Sequence, residues 1–328
     1  MADETVDKAK GLLHASQPQE CINLLLPRAE QDPNNVVILQ TLGEAYVEIG
    51  EPANAYALFE KAAELDGEGK QGGFEKFLWL GQLNGDRIGL GWYEAGLNGL
   101  REQYSNATEE DDVAFLKKKI SQGLCGMIEI WMTDLCMEPE AESMCDKLIT
   151  EALMVDDSEA ENWSVLGSIR ISQQRNDEAK DALNKSFELY NSRQLGNDEV
   201  PALIRLCQNM LEMQLLEHTV ELTLKTIRLD DNIIEVYYLN GLAHFALFEQ
   251  FKSQGDQDSM YRNGSKASDS FNLILSMMED DPENKDDDLA ANVDGILASI
   301  GDIPEGYSDD EDDDNQDDNE DLKALEDD

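Results

Sequence analysis

Basic residues are scarce in this chain of 328 residues: 25 Lys and Arg stand against 71 Asp and Glu, for a formal net charge of −46. A field of that sign repels phosphate backbones. It argues against direct nucleic-acid binding and for the capture of basic partners. The excess is not confined to one end. Residues 301–328 carry 15 acids and one base, a net of −14, which leaves −32 on the preceding 300 residues.

Cysteine is also sparse. Cys21, Cys125, Cys136, Cys145 and Cys207 are too few, too scattered and odd in number for a disulfide framework, so a reduced protein of the cytoplasm and nucleus is expected. The opening MADETVDKAK has no apolar leader core, and no apolar run approaches the roughly 20 residues of a membrane span. Lys117, Lys118 and Lys119 form the one basic triplet, a weak import signal within a helical pattern.

Catalytic and metal constellations are missing too. His14, His218 and His244 lie in separate helical segments without a nucleophile beside them. The glycines of GLGWYEAG at 89–96 open a helix rather than follow a strand, so they do not read as a phosphate loop. The acidic run SDDEDDDNQDDNED lacks the glycine of an EF-hand loop. One stretch, IEIWMTDLCMEPEAESMCDK at 128–147, concentrates two cysteines, three methionines and six acids. Helical phase makes Ile128, Trp131 and Leu135 an apolar stripe and has Pro139 start the next helix, with Cys145, Leu148 and Ile149 facing back. Cys136 and Cys145 are then small packing residues rather than paired ligands. No metal, no cofactor and no enzymatic activity are expected.

What the sequence does contain is a repeat. In residues 36–69, Leu39, Leu42, Gly43 and Tyr46 are followed by Ala55, Phe59 and Ala62, the spacing of a tetratricopeptide (TPR) helix pair, with Pro52 near the second helix start. Trp163, Leu166 and Gly167, then Ala179 and Leu183, repeat the template. In the same phase, Cys21 and Leu25 follow Pro18, and Phe77, Leu80 and Gly81 precede Tyr93, Leu97 and Leu100. Leu203, Leu206 and Cys207 match Thr219 and Ile227, and Tyr237 and Gly241 match Ala267, Phe271 and Ile274 across about 14 extra residues.

The fold expected is all-α: a right-handed α-solenoid of about seven TPR-like helix pairs over residues 1–279, with an acidic, largely disordered tail over 280–328. One short helix over 290–300 is possible within that tail. A monomer is expected.

TPR proteins hold peptides on the first helix of each pair. Those positions supply Gln40, Glu44 and Glu48, then Gln82 and Asp86, then Gln208 and Glu212, with acids where a clamp for a partner's carboxylate would need bases. Glu129, Asp134, Glu235 and Tyr238 join the candidates, and Arg170 places one base among them. In the tail, Asp309, Asp310, Glu311, Asp312, Asp313 and Asp314 form a further acidic candidate. An acidic groove accepting Lys- and Arg-rich segments follows.

Several segments go beyond the generic repeat: EIWMTDLCMEPEAE at 129–142, FLWLGQLNG at 77–85, WYEAG at 92–96, SIRISQQRNDEAK at 168–180, IRLDD at 227–231 and VYYLNG at 236–241. Together they resemble the fungal TPR proteins that act as the dedicated assembly chaperone of large-subunit ribosomal protein four. The resemblance implies a client, the newly made basic ribosomal protein, gripped by its internal extension. It further implies that the client is kept soluble, escorted to the nucleus with import factors reached through the client, and released to the pre-ribosome. The alternatives are an acidic histone chaperone or a TPR scaffold or co-chaperone for folded partners.

Overall fold

In a computed structural model the structure describes residues 4–280, 286–304 and Tyr307. Every regular element among them is helical. The chain divides into two compact units, Met1–Arg175 and Asn176–Asp328. The first holds α1 (Glu4–His14), α2 (Pro18–Gln31), α3 (Val36–Glu48), α4 (Pro52–Leu65), α5 (Glu75–Asn84), α6 (Asp86–Asn106), α7 (Glu110–Met132), α8 (Ala141–Val155) and α9 (Ala160–Ser172). The second holds α10 (Asn176–Asn191), α11 (Val200–Glu212), α12 (Leu216–Leu229), α13 (Ile234–Gln254), α14 (Gln257–Asp280) and α15 (Asp287–Ile300).

Pairs form where a small residue lets two helix axes approach. A side-chain carbon at Gly43 of α3 would lie 2.7 Å from the ring of Phe59 in α4, and one at Gly81 of α5 would lie 2.5 Å from Tyr93 in α6. The second unit repeats the contact at Gly241 of α13, whose added carbon would lie 2.7 Å from Phe271 of α14. Leu39, Leu42, Ala55, Phe59, Ala62, Phe77, Leu80, Leu97 and Leu100 are all buried, as the repeat phase predicts.

Two buried polar knots lie outside that apolar template. Within the first unit, Asn162 of α9 is fully buried and donates through Nδ2 to Ser121 Oγ (3.2 Å) and to the carbonyls of Ala152 (3.3 Å) and Asp156 (2.8 Å), while its Oδ1 accepts from the Cys125 thiol. Within the second, Asn240 donates to Thr223 (2.8 Å) and accepts from Ser270 (2.9 Å), joining α12, α13 and α14. Satisfied networks of this kind fix helix register, because a slip strands buried donors.

Several expectations need correction. Trp163 and Leu166 are only half-buried, and the positions that go inside are Asn162, Gly167 and Ile169. Likewise Ile227 is half-buried while Thr223 and Thr226 are buried. In each helix a member of a polar knot, Asn162 or Thr223, takes an inward position that the apolar pattern did not assign. Pro139 sits in the turn between α7 and α8, which starts at Ala141, and Cys136 in that turn is exposed rather than packed. The extra residues near 250 lengthen α13 and α14 themselves, and their connection is only Gly255 and Asp256. Finally, helix continues beyond residue 279. α14 runs to Asp280, and α15 buries Val293 and Ile300 in a cluster shared with Phe248, Phe271 and Ile274.

The loop between α4 and α5 is pinned by one buried carboxylate. Asp66 accepts from the backbone N–H groups of Lys70 (2.8 Å), Gln71 (3.0 Å) and Gly72 (3.2 Å) and from the fully buried Lys76 ammonium (3.1 Å). Burial alone would raise the Asp66 pKa, but these bonds outweigh it and hold the carboxyl below its usual value. Its stabilising contribution is therefore complete above about pH 4 and is lost as pH falls through the lowered value. Lys76→Met should cost the first unit about 3 kcal/mol in urea unfolding, and Asp66→Asn should flatten the acid limb of its stability profile.

Candidate functional site

Successive first helices lie side by side within each unit: α1 on α3, α5 on α7 and α7 on α9 in one, α11 on α13 in the other. Their outward faces carry the candidate acids. Glu44 is half-buried on α3, and Glu48 is exposed one turn later. Desolvation is the main reason the Glu44 carboxyl is raised above its usual pKa; Lys10 of α1 and Lys119 of α7 pull it down, and Glu75 of α5 and Glu48 push it up. Charges carried on α1, α5 and α7, as well as on α3 itself, therefore act on this one carboxyl. Glu75 was not singled out by the repeat phase, because it lies at the helix start, ahead of the apolar stripe.

The remaining candidates divide. Glu129 on α7 and Glu212 on α11 are exposed. Glu129 sits close enough to the buried Tyr93 of α6 to help burial keep that phenol well above its normal pKa. Glu44, Glu48, Glu129 and Glu212 make no ion pair within the described residues. Glu235 at the start of α13 accepts from Gln208 Nε2 on α11 at 2.7 Å, which joins two of the expected positions.

Five side chains expected to face a partner turn out to be occupied. Asp134, in the turn after α7, accepts the Asp86 N–H at 2.7 Å and so caps the start of α6, where Asp86 itself has a φ of 46°. Asp86 is exposed, but its carboxylate also accepts the Arg87 N–H. Tyr238 donates to Asn292 of α15 at 3.0 Å and meets Phe271 edge-on, so α15 uses the surface it was expected to offer. Gln40, expected beside Glu44, is buried and donates to the Gly72 carbonyl. The base expected at Arg170 is paired with Asp146 of α8. The acids Asp309, Asp310, Glu311, Asp312, Asp313 and Asp314 lie outside the described residues.

Among the described residues no group of three His, Cys, Asp or Glu side chains could hold a metal ion. No helix there is long and apolar enough to cross a membrane. The Cys145 thiol is pushed up to about 11 by burial and by Asp146, which leaves it neutral and unreactive at physiological pH.

A tetratricopeptide-repeat family model matches residues 37–68 and 160–193. A curated protein of Schizosaccharomyces pombe named "Probable assembly chaperone of rpl4" is 33% identical over 227 residues, covering 66% of this chain and 66% of that protein. One of the same name in Emericella nidulans is 33% identical over 250 residues, covering 72% of this chain and 62% of that protein. The chain thus spans just under two thirds of the length of these curated relatives. A solved structure described as the assembly chaperone of RpL4 (Acl4) matches with a TM-score of 0.64 at 29% identity, over 77% of this chain and 98% of that one. The Cut9–Hcn1 hetero-tetramer of the APC/C matches at 0.51 with 10% identity, over 92% of this chain and 49% of that one, a likeness of fold alone. The all-α, TPR-type class read from the sequence is the class of these neighbours.

Two outcomes separate structural acids from free ones. Asp134→Ala should cost about 1 kcal/mol of first-unit stability through loss of the α6 cap. Glu44→Gln should instead raise the melting temperature at pH 7. A carboxyl whose folded pKa is raised opposes folding while ionised, and its contribution improves as pH falls through that value.

Proposed function

This chain belongs to the family of those rpl4 assembly chaperones, and from that premise we propose that it is itself an ATP-independent chaperone of a basic large-subunit ribosomal protein, rpl4. The client's Lys- and Arg-rich internal extension lies along the first-helix faces. There Glu44, Glu48, Glu129 and Glu212 replace the phosphates that the extension meets in the ribosome. The observation that carries this reading is the set of first-helix carboxylates that make no ion pair among the described residues, on a body that is strongly acidic even without residues 301–328.

The chemistry favours capture and handover. Opposite charge speeds encounter, while each exposed pair adds about 1 kcal/mol or less, so the grip is distributed and reversible. Ribosomal RNA offers a denser negative field and draws the same cations away, which releases the client at assembly. Until then the carboxylates keep the extension neutralised and soluble. The complex travels from cytoplasm to nucleus, with import factors engaging the client.

Affinity purification washed at graded salt tests the reading. A stoichiometric basic ribosomal protein should co-purify and be lost as salt rises; recovery of histones instead, or of -EEVD-ended chaperones at undiminished affinity in high salt, contradicts it. With purified rpl4, Glu48→Lys combined with Glu129→Lys and Glu212→Lys, all at exposed positions, should weaken binding roughly 10- to 100-fold at unchanged melting behaviour.

A further inference from the structure

The apolar stripe of α7 runs through Leu116, Ile120, Leu124, Ile128 and Trp131, all buried. Phe115 falls off that stripe, and 49% of its surface is exposed. It borders a cleft of about 960 Å³ formed by the α4–α5 loop, the C-terminal half of α6 and the start of α7. Such a volume lies at the upper end of those that hold small ligands, and is ample for several side chains of an extended peptide.

The lining of the cleft has a definite chemistry. Phe74 and Phe115 give it two aromatic faces. Phe74 is held against the helix because Gly99 has no side chain: an added carbon there would lie 2.1 Å from the ring. Around the aromatics stand Glu102 and Asp112, both exposed and without a cationic partner among the described residues, and the side-chain amide of Gln103. Glu68 and Lys70 also border the cleft, but they pair with each other and cancel. Lys119 lies over the Phe115 ring, 5.7 Å from its centre, and even with this cation counted against Glu102 and Asp112 the net charge left on the rim is negative.

We propose that this cleft is a second docking site for the client, separate from the first-helix acids. It takes a short extended segment in which an apolar side chain is followed or preceded by Lys or Arg. The apolar group covers Phe115 and Phe74, and the cation lies between Glu102 and Asp112, where both a carboxylate and an aromatic face attract it. A purely apolar partner would leave the two carboxylates desolvated and unpaired, and an acidic one would be repelled. The proposal rests on the chaperone reading and assigns part of the client's grip to a surface that the TPR phase does not mark. Two sites of modest strength on one client multiply, because the second contact forms within the complex.

Fluorescence anisotropy with intact rpl4 and with overlapping peptides covering it provides the test. Phe115→Ala, and separately Glu102→Gln with Asp112→Asn, should weaken at least one basic, apolar-containing peptide about tenfold, while Glu44→Gln with Glu48→Gln leaves that peptide unchanged. Thermal melts establish that each variant is folded. Should Phe115→Ala not fold, the carboxylate pair, wholly on the surface, still decides the matter. Intact rpl4 binding with every peptide indifferent to the cleft variants overturns this inference and leaves the chaperone reading standing. Intact rpl4 failing to bind the unaltered chain overturns both. Cleft variants that alter only self-association would show the cleft to be filled by a second copy of this chain, which also overturns the proposal.

Discussion

The close contact of a glycine with an aromatic ring sets the geometry on which the rest of this protein depends. Gly43 against Phe59, Gly81 against Tyr93 and Gly241 against Phe271 bring two helices near enough that their apolar stripes close on each other. Once these axes are fixed, the rotation of each first helix is fixed as well. Its polar side then faces solvent, as the exposed Glu48 and Glu129 show. The acids on that side are the remainder of a packing solution.

That remainder is electrostatically unsettled. Helix surfaces usually interleave both signs, yet here the outward acids outnumber the bases that could satisfy them. Arg170 is taken up by Asp146, and Lys76 is buried against Asp66. Lys119 shares its charge between Glu44 and the face of Phe115, 5.7 Å from the ring centre. Folding therefore leaves a surface that gains more from a polycation than from water. Under the proposed function, a client that arrives without its RNA supplies that polycation. The cost is borne partly by stability, because burial disfavours the ionised form of a half-buried carboxylate such as Glu44.

Much of this was legible in the sequence, for a physical reason. Helix pairing depends on small and large residues at fixed spacing, so Leu39, Gly43, Phe59, Phe77, Gly81 and Tyr93 announced themselves. Buried polar residues did not. Asn162, Asn240, Thr223 and Lys76 look like surface residues by composition, and only their partners, distant in sequence, make them core. The same blindness affected the site. Phase located Glu44, Glu48, Glu129 and Glu212 on outward faces, but could not reveal that Asp134 caps α6 or that Tyr238 is held by α15. Tertiary hydrogen bonds decide those roles. Phe115 was readable as an apolar residue out of phase, a signal that gains meaning only once the stripe of α7 is known.

The central claim is that the first-helix faces, and not the second, carry the client's basic extension. Site-specific photocrosslinking distinguishes the two directly. A photoreactive residue placed at Glu48, Glu129 or Glu212 should crosslink rpl4 at Lys- and Arg-rich positions, in a salt-sensitive manner. The same residue at the exposed second-helix acids Glu64, Glu142 or Glu221 should give little product. Equal crosslinking from both sets, or crosslinking from the second helices alone, would contradict the account.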